Sequence, residues 1–127
     1  MGYVVTTVES KFFLPRERAA EALAELKRGW PDEPGVRDAP TLEAALAALD
    51  WGATTDAHGN IDGIWFWGWK ETGREAAPLR RIAAQVRAGS AVANSIDRGE
   101  IVIYLFDGRE LSVERGEVAR RRGGEEE

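Results

Sequence analysis

Apolar positions change period several times along this chain, and each change predicts an element. From Tyr3 to Leu14 the chain is rich in Val, Thr and Phe, which suit a pleated surface and predict a strand. Pro15 sits where a first helical residue is expected. Over Arg16 to Arg28, Ala19, Ala22, Leu23 and Leu26 recur at helical spacing and Trp30 extends their face. Glu17, Arg18, Glu21, Glu25 and Arg28 fall mostly on the other side, as on a solvated face with ion pairs three or four apart. Gly29 and Pro31 end the helix, and the proline-rich stretch from Pro31 to Pro40 reads as a loop. Thr41 is a candidate N-cap for a short helix carrying Leu42, Ala45, Leu46 and Leu49.

Strand periods return at Trp51 to Ala57 and Ile61 to Lys70, joined by a turn at His58-Gly59-Asn60. After a loop from Glu71 to Glu75, Ala76 to Ala88 predicts a third helix with Leu79, Ile82, Ala83 and Val86 on one face. Ala91 to Asp97 and Ile101 to Asp107 predict a second hairpin around Arg98-Gly99, and Glu110 to Glu114 a last strand. The order β-α-α-β-β-α-β-β-β has short links between successive strands. It predicts an α+β two-layer sandwich, a mostly antiparallel sheet with helices on one face. Residues 1–118 read as a single domain and 119–127 as a charged, mobile tail.

The segment from Ile61 to Lys70 carries the most information. Side chains of a strand alternate between faces, so Trp65, Trp67 and Trp69 share one face and Ile64 and Phe66 the other. Placing Ile64 and Phe66 under the helices leaves the tryptophans on the open face. Ile101, Ile103 and Leu105 likewise alternate with Val102, Tyr104 and Phe106. If the aromatic sets coincide, Tyr104, and with it Phe106, joins the tryptophans. An exposed set of this kind marks an interaction surface, and Trp65, Trp67, Trp69 and Tyr104 are its expected binding residues. The same pattern also fits tryptophans packed as cross-strand pairs or covered by the proline-rich loop or by arginine stems.

Composition narrows the partners. The 127 residues carry a net charge of −5 and no cysteine, which excludes disulfides and thiolate metal sites. The only dense basic cluster, Arg120-Arg121-Arg122, is followed at once by Gly123-Gly124 and three glutamates, so the charge argues against nucleic acid. No signal-peptide pattern or membrane-length apolar run is present, and a cytoplasmic protein is expected.

Candidate chemistry is thin. His58 is the only histidine, at a hairpin tip with Asp56 and Asp62 nearby, and these would form the core of a small enzyme site. The carboxylates Asp50, Asp56, Asp62, Asp97, Glu100, Asp107 and Glu110 cluster at turns, where Asp bonds local backbone. No nucleophile elbow or phosphate-binding glycine loop occurs. No catalytic residue, metal ligand or cofactor is therefore expected.

The hairpin textures from Asp56-Ala57-His58-Gly59-Asn60 to Ile64, and from Gly89-Ser90-Ala91-Val92 through Ile101-Val102-Ile103-Tyr104-Leu105-Phe106-Asp107-Gly108, resemble those of small bacterial and mobile-element α+β proteins over about half the chain. The resemblance implies a phage- or plasmid-associated accessory protein. By analogy, a small acidic domain of this kind is expected to inhibit a host system, as anti-CRISPR proteins do. The expected function is binding of a protein partner or of a second copy. The alternatives are a small-molecule site beneath a curled aromatic face, and an enzyme built on His58.

Overall fold

The computed structural model describes residues 3–70, 75–96 and 99–117, with side chains at 5–66, 75–96 and 99–116. The expected tail at 119–127 and most of the loop after Lys70 lie outside the described residues. So do Asp97 and Arg98.

Strand β1 (Tyr3–Lys11) leads through a 3₁₀ turn (Arg16–Arg18) into α1 (Ala19–Gly29). There follow α2 (Pro34–Arg37), α3 (Leu42–Ala48), β2 (Trp51–Thr55) and β3 (Ile61–Lys70). Then come α4 (Ala77–Ile82) with a 3₁₀ turn (Ala83–Gln85), β4 (Ala91–Ile96), β5 (Glu100–Phe106) and β6 (Leu111–Glu117). The expected α+β architecture holds. The strands lie in the order β2-β3-β1-β4-β5-β6 and every neighbouring pair is antiparallel. The far half of β3 pairs with β1 while its near half pairs with β2, so the β2–β3 hairpin extends the sheet beyond β1.

Local chemistry accounts for the helix boundaries. The Thr41 hydroxyl accepts from the Ala44 N–H at 3.1 Å, which is the expected cap of α3. The proline-rich segment is not wholly loop, because Pro34 at the first helical position starts the single-turn α2. The third helix is shorter than its apolar pattern predicts. It tightens after Ile82, and the Arg87 N–H turns away to donate to the Phe13 carbonyl at 2.9 Å. Asp50 ends the α3–β2 turn in the left-handed region (φ 72°), which Asp tolerates better than most residues.

The core lies between the helices and one sheet face. Ala22 and Leu26 of α1, Leu42, Ala45 and Leu46 of α3, and Leu79 and Ile82 of α4 pack against Val5, Trp51, Ile64, Phe66, Val92, Val102, Tyr104 and Phe106. Alanines at the helix interface leave volume beneath them, and interiors pack to crystal density, so bulky sheet residues fill it. Trp51 is the centre of this layer. Its ring centroid is 5.0 Å from Phe66 and 6.3 Å from Tyr104, and its indole N–H donates to the Glu75 carbonyl at 2.9 Å.

One glycine in the helical layer is a steric requirement. A Cβ on Gly35 would stand 2.8 Å from the Ala48 Cβ, so α2 and α3 approach as closely as they do only with glycine there. Gly35→Ala is expected to cost about 1–3 kcal/mol by overpacking. A urea titration should show a lower midpoint with an unchanged slope.

Candidate functional site: the open face of the sheet

The helices cover one face of the sheet, and the other is lined by residues that alternate with the core. Register fixes their rows. Lys11, Ala91, Leu105 and Ser112 stand across β1, β4, β5 and β6; Glu9, Ala93, Ile103 and Glu114 form the next row; Thr6, Ser95, Ile101 and Gly116 the third. Small residues on β4 and the half-buried Ile101, Ile103 and Leu105 on β5 make an apolar strip. Glu9 and Glu114 flank its middle row, and Lys11 pairs with Glu9 at 3.5 Å in an exposed ion pair.

Among the described residues, β1 and β3 give this face its two most exposed large apolar side chains, Val8 at 57% and Trp65 at 42%. Val8 sits where a register shift between Thr7 and Glu9 interrupts the β1–β4 ladder. The β1–β3 ladder ends at Thr6 and Trp67, and beyond it side-chain hydroxyls tie the two strands. The Thr7 hydroxyl accepts from the Phe66 N–H at 2.7 Å and donates to the Asn94 amide oxygen at 2.7 Å. The Ser10 hydroxyl accepts from the Ile64 N–H at 3.0 Å. Next to Trp65, a Cβ on Gly63 would come 2.9 Å from the Thr54 hydroxyl and 3.3 Å from the Trp65 indole nitrogen. Glycine at 63 therefore leaves room for the indole to lie across the strand.

The expected site residues separate. Trp65 lies on the open face, with Ile64 and Phe66 buried opposite it as expected. Trp67 and Trp69 stand opposite Thr6 and Val4 in the β1–β3 ladder, but their side chains lie outside the described residues. Tyr104 does not join them. It is 2% exposed, inside the core beside Trp51, and Phe106 packs there too, edge-on to Phe12 at 5.5 Å. The alternation in β5 is as read, but its orientation is the reverse of the aromatic grouping, because the alanine-lined helices demand the larger set. The open face receives Ile101, Ile103 and Leu105 instead. Val8 was legible from its parity with Thr6; the apolar strip was legible as a set but not as a face.

Asp56, Asp62 and Asp107 are engaged within their own hairpins. The Asp56 carboxylate accepts from the backbone N–H groups of His58 (2.9 Å) and Asn60 (3.0 Å) and from the Asn60 side-chain amide at 3.0 Å. The Asn60 amide oxygen in turn accepts from the Arg16 N–H at 2.8 Å, which ties the hairpin tip to the start of the first helical segment. Asp62 accepts from the Thr54 hydroxyl at 2.8 Å, and Asp107 from the N–H groups of Arg109 and Glu110. His58 is exposed at the tip, and the bond joining it to Asp56 uses its backbone, not its imidazole. Among the described residues no group of three or more His, Asp or Glu is placed to hold a metal ion. No helix among them is long and apolar enough to cross a membrane.

The Asn60 amide holds the Asp56 carboxyl below its ordinary 3.8, helped by the His58 and Asn60 N–H groups. The Glu110 and Arg109 N–H groups do the same for Asp107. A depressed carboxyl stabilises the fold above its unfolded pKa, and the gain is lost as pH falls through the folded value. Asp56→Ala is therefore expected to be less stable than the parent at neutral pH. The two denaturation midpoints should converge as pH drops below about 3.8.

The chain matches no protein-family model, no curated protein and no solved structure, so the fold and the geometry of the open face carry the functional argument.

Proposed function

We propose that this chain is a non-catalytic binding module that docks a partner protein on the open face of its sheet. The observation that carries the reading is Trp65, 42% exposed on a face to which the adjacent β1 adds Val8 and, beyond β4, β5 adds the Ile101, Ile103 and Leu105 strip. Tryptophan is enriched at the energetic centres of interfaces, and clustered exposed apolar surface marks interaction sites. Charge indicates the partner's character. Glu9 and Glu114 flank the strip in one row and the chain carries a net charge of −5. The complementary surface therefore presents an apolar anchor with cationic residues on both sides. Binding by occupancy is the action of an accessory, regulatory or inhibitory protein.

Ile103→Glu tests this by adding a third carboxylate to the centre of that row. Affinity capture from source cells should retain one protein on the parent chain and lose it on Ile103→Glu, with the melting temperature recorded for both. Equal retention by both would overturn the reading. A parent chain that is dimeric by light scattering, and monomeric as Ile103→Glu, would overturn it in favour of a second copy.

A further inference from the structure

A second feature, at the end of the apolar strip where Lys11 stands beside Ala91, has the makings of a ligand site. Where β1 runs out and β4 begins, a cavity of about 280 Å³ is lined by Lys11, Phe13, Asp62, Arg87 and Ser90, with Phe12 and Ala88 among its apolar walls. We propose that it binds the carboxylate of a small monoanion with an apolar body.

The donors are positioned by the fold. The Arg87 backbone is pinned by its bond to the Phe13 carbonyl, and its guanidinium carbon lies 3.8 Å from the centre of the Phe13 ring. The ring contact restrains the guanidinium, and Arg87 lines the cavity with N–H groups that can donate to a ligand. Among the described residues no carboxylate lies within ion-pair distance of Arg87. Lys11 supplies a second cation, held only by its exposed pairing with Glu9, an interaction worth little. Ser90, 5% exposed, accepts from the Phe13 N–H at 3.1 Å, and its own hydroxyl proton has no acceptor among the described residues.

Charge sets the class of ligand. Two cations and the Asp62 carboxylate leave the lining at a net +1. That balance suits one carboxylate and disfavours a phosphate dianion, which Asp62 would repel. Phe12, Phe13 and Ala88 offer the apolar body a wall, and the planar guanidinium matches a carboxylate in bidentate fashion. The carboxylate can belong to a free organic acid or to the C-terminus of a peptide.

The test uses benzoate as probe, followed by amide chemical shifts of the full chain. Saturable shifts at Phe13, Arg87 and Ser90 are expected, with none from benzamide, the neutral isostere. Arg87→Gln and Lys11→Met should each weaken benzoate by about tenfold, and Asp62→Asn should tighten it. Lys11 is exposed, so its variant reads binding even if Arg87→Gln loses stability with its ring contact. A peptide ending in a free phenylalanine carboxylate, compared with its amide, separates the sources: tighter binding than benzoate assigns the site to chain ends, and weaker binding assigns it to free acids. Absence of saturable shifts, or benzoate and benzamide binding alike, would overturn the proposal.

Discussion

Trp51→Ala is expected to be the most damaging single substitution in this fold. The side chain is fully buried, in contact with Phe66 and Tyr104. Large-to-small changes at such sites cost about 3–5 kcal/mol. The Glu75 carbonyl also loses the indole N–H it accepts at 2.9 Å, which adds about 1–3 kcal/mol if nothing replaces it. Domains of this size hold only about 5–15 kcal/mol in all, so the variant should be largely unfolded or melt far below the parent. Trp51→Phe separates the two contributions. It keeps an aromatic ring against Phe66 and Tyr104 and removes the hydrogen bond, and should fall between parent and alanine in a urea titration.

The second large effect is on binding. Trp65 differs from Trp51 in the face of the sheet it occupies. More than half of its surface is covered, so Trp65→Ala should cost about 1–2 kcal/mol of stability and still fold cooperatively. If the indole anchors a partner, truncating it should cost about 2 kcal/mol or more of binding, roughly a 30-fold loss of affinity. Calorimetry with the captured partner would show this as a weakened Kd on a folded protein. An unchanged Kd would remove Trp65 from the interface. The pair of variants thus distinguishes a core tryptophan from a surface one by opposite outcomes: Trp51→Ala loses the fold, and Trp65→Ala loses the partner.

Much of this was legible in the sequence, for identifiable reasons. Strong periodicity in Ala19 to Leu26 and Leu42 to Leu49, with Pro15, Gly29 and Thr41 as punctuation, located two helices. Strict alternation in Ile64-Trp65-Phe66 placed Trp65 opposite the core. What failed was the step from alternation to orientation. Tyr104 and Phe106 form one set by parity whichever way the strand faces. The choice is made by volume, since Ala22, Ala45 and Ala83 on the facing helices leave space that only the bulkier set fills. That information is spread over three elements distant in sequence. The register shift at Val8 was invisible for a similar reason: its stabilising partners, Thr7 with Asn94 and Ser10 with Ile64, are strand neighbours only after folding. The residues around the Arg87 cavity come from β1, β3 and the loop that leads into β4, none with a sequence motif.

The two-faced sheet is the claim on which the binding reading rests, and nuclear magnetic resonance with a soluble paramagnetic agent tests it residue by residue. Signals of the Trp65 indole and the Val8 methyls should relax strongly, whereas the Trp51 indole N–H and the Tyr104 ring should be unaffected at the same concentration. Strong relaxation of Tyr104 together with protection of Trp65 in a monomer would mean that the sheet presents its other face to solvent, and would contradict the account.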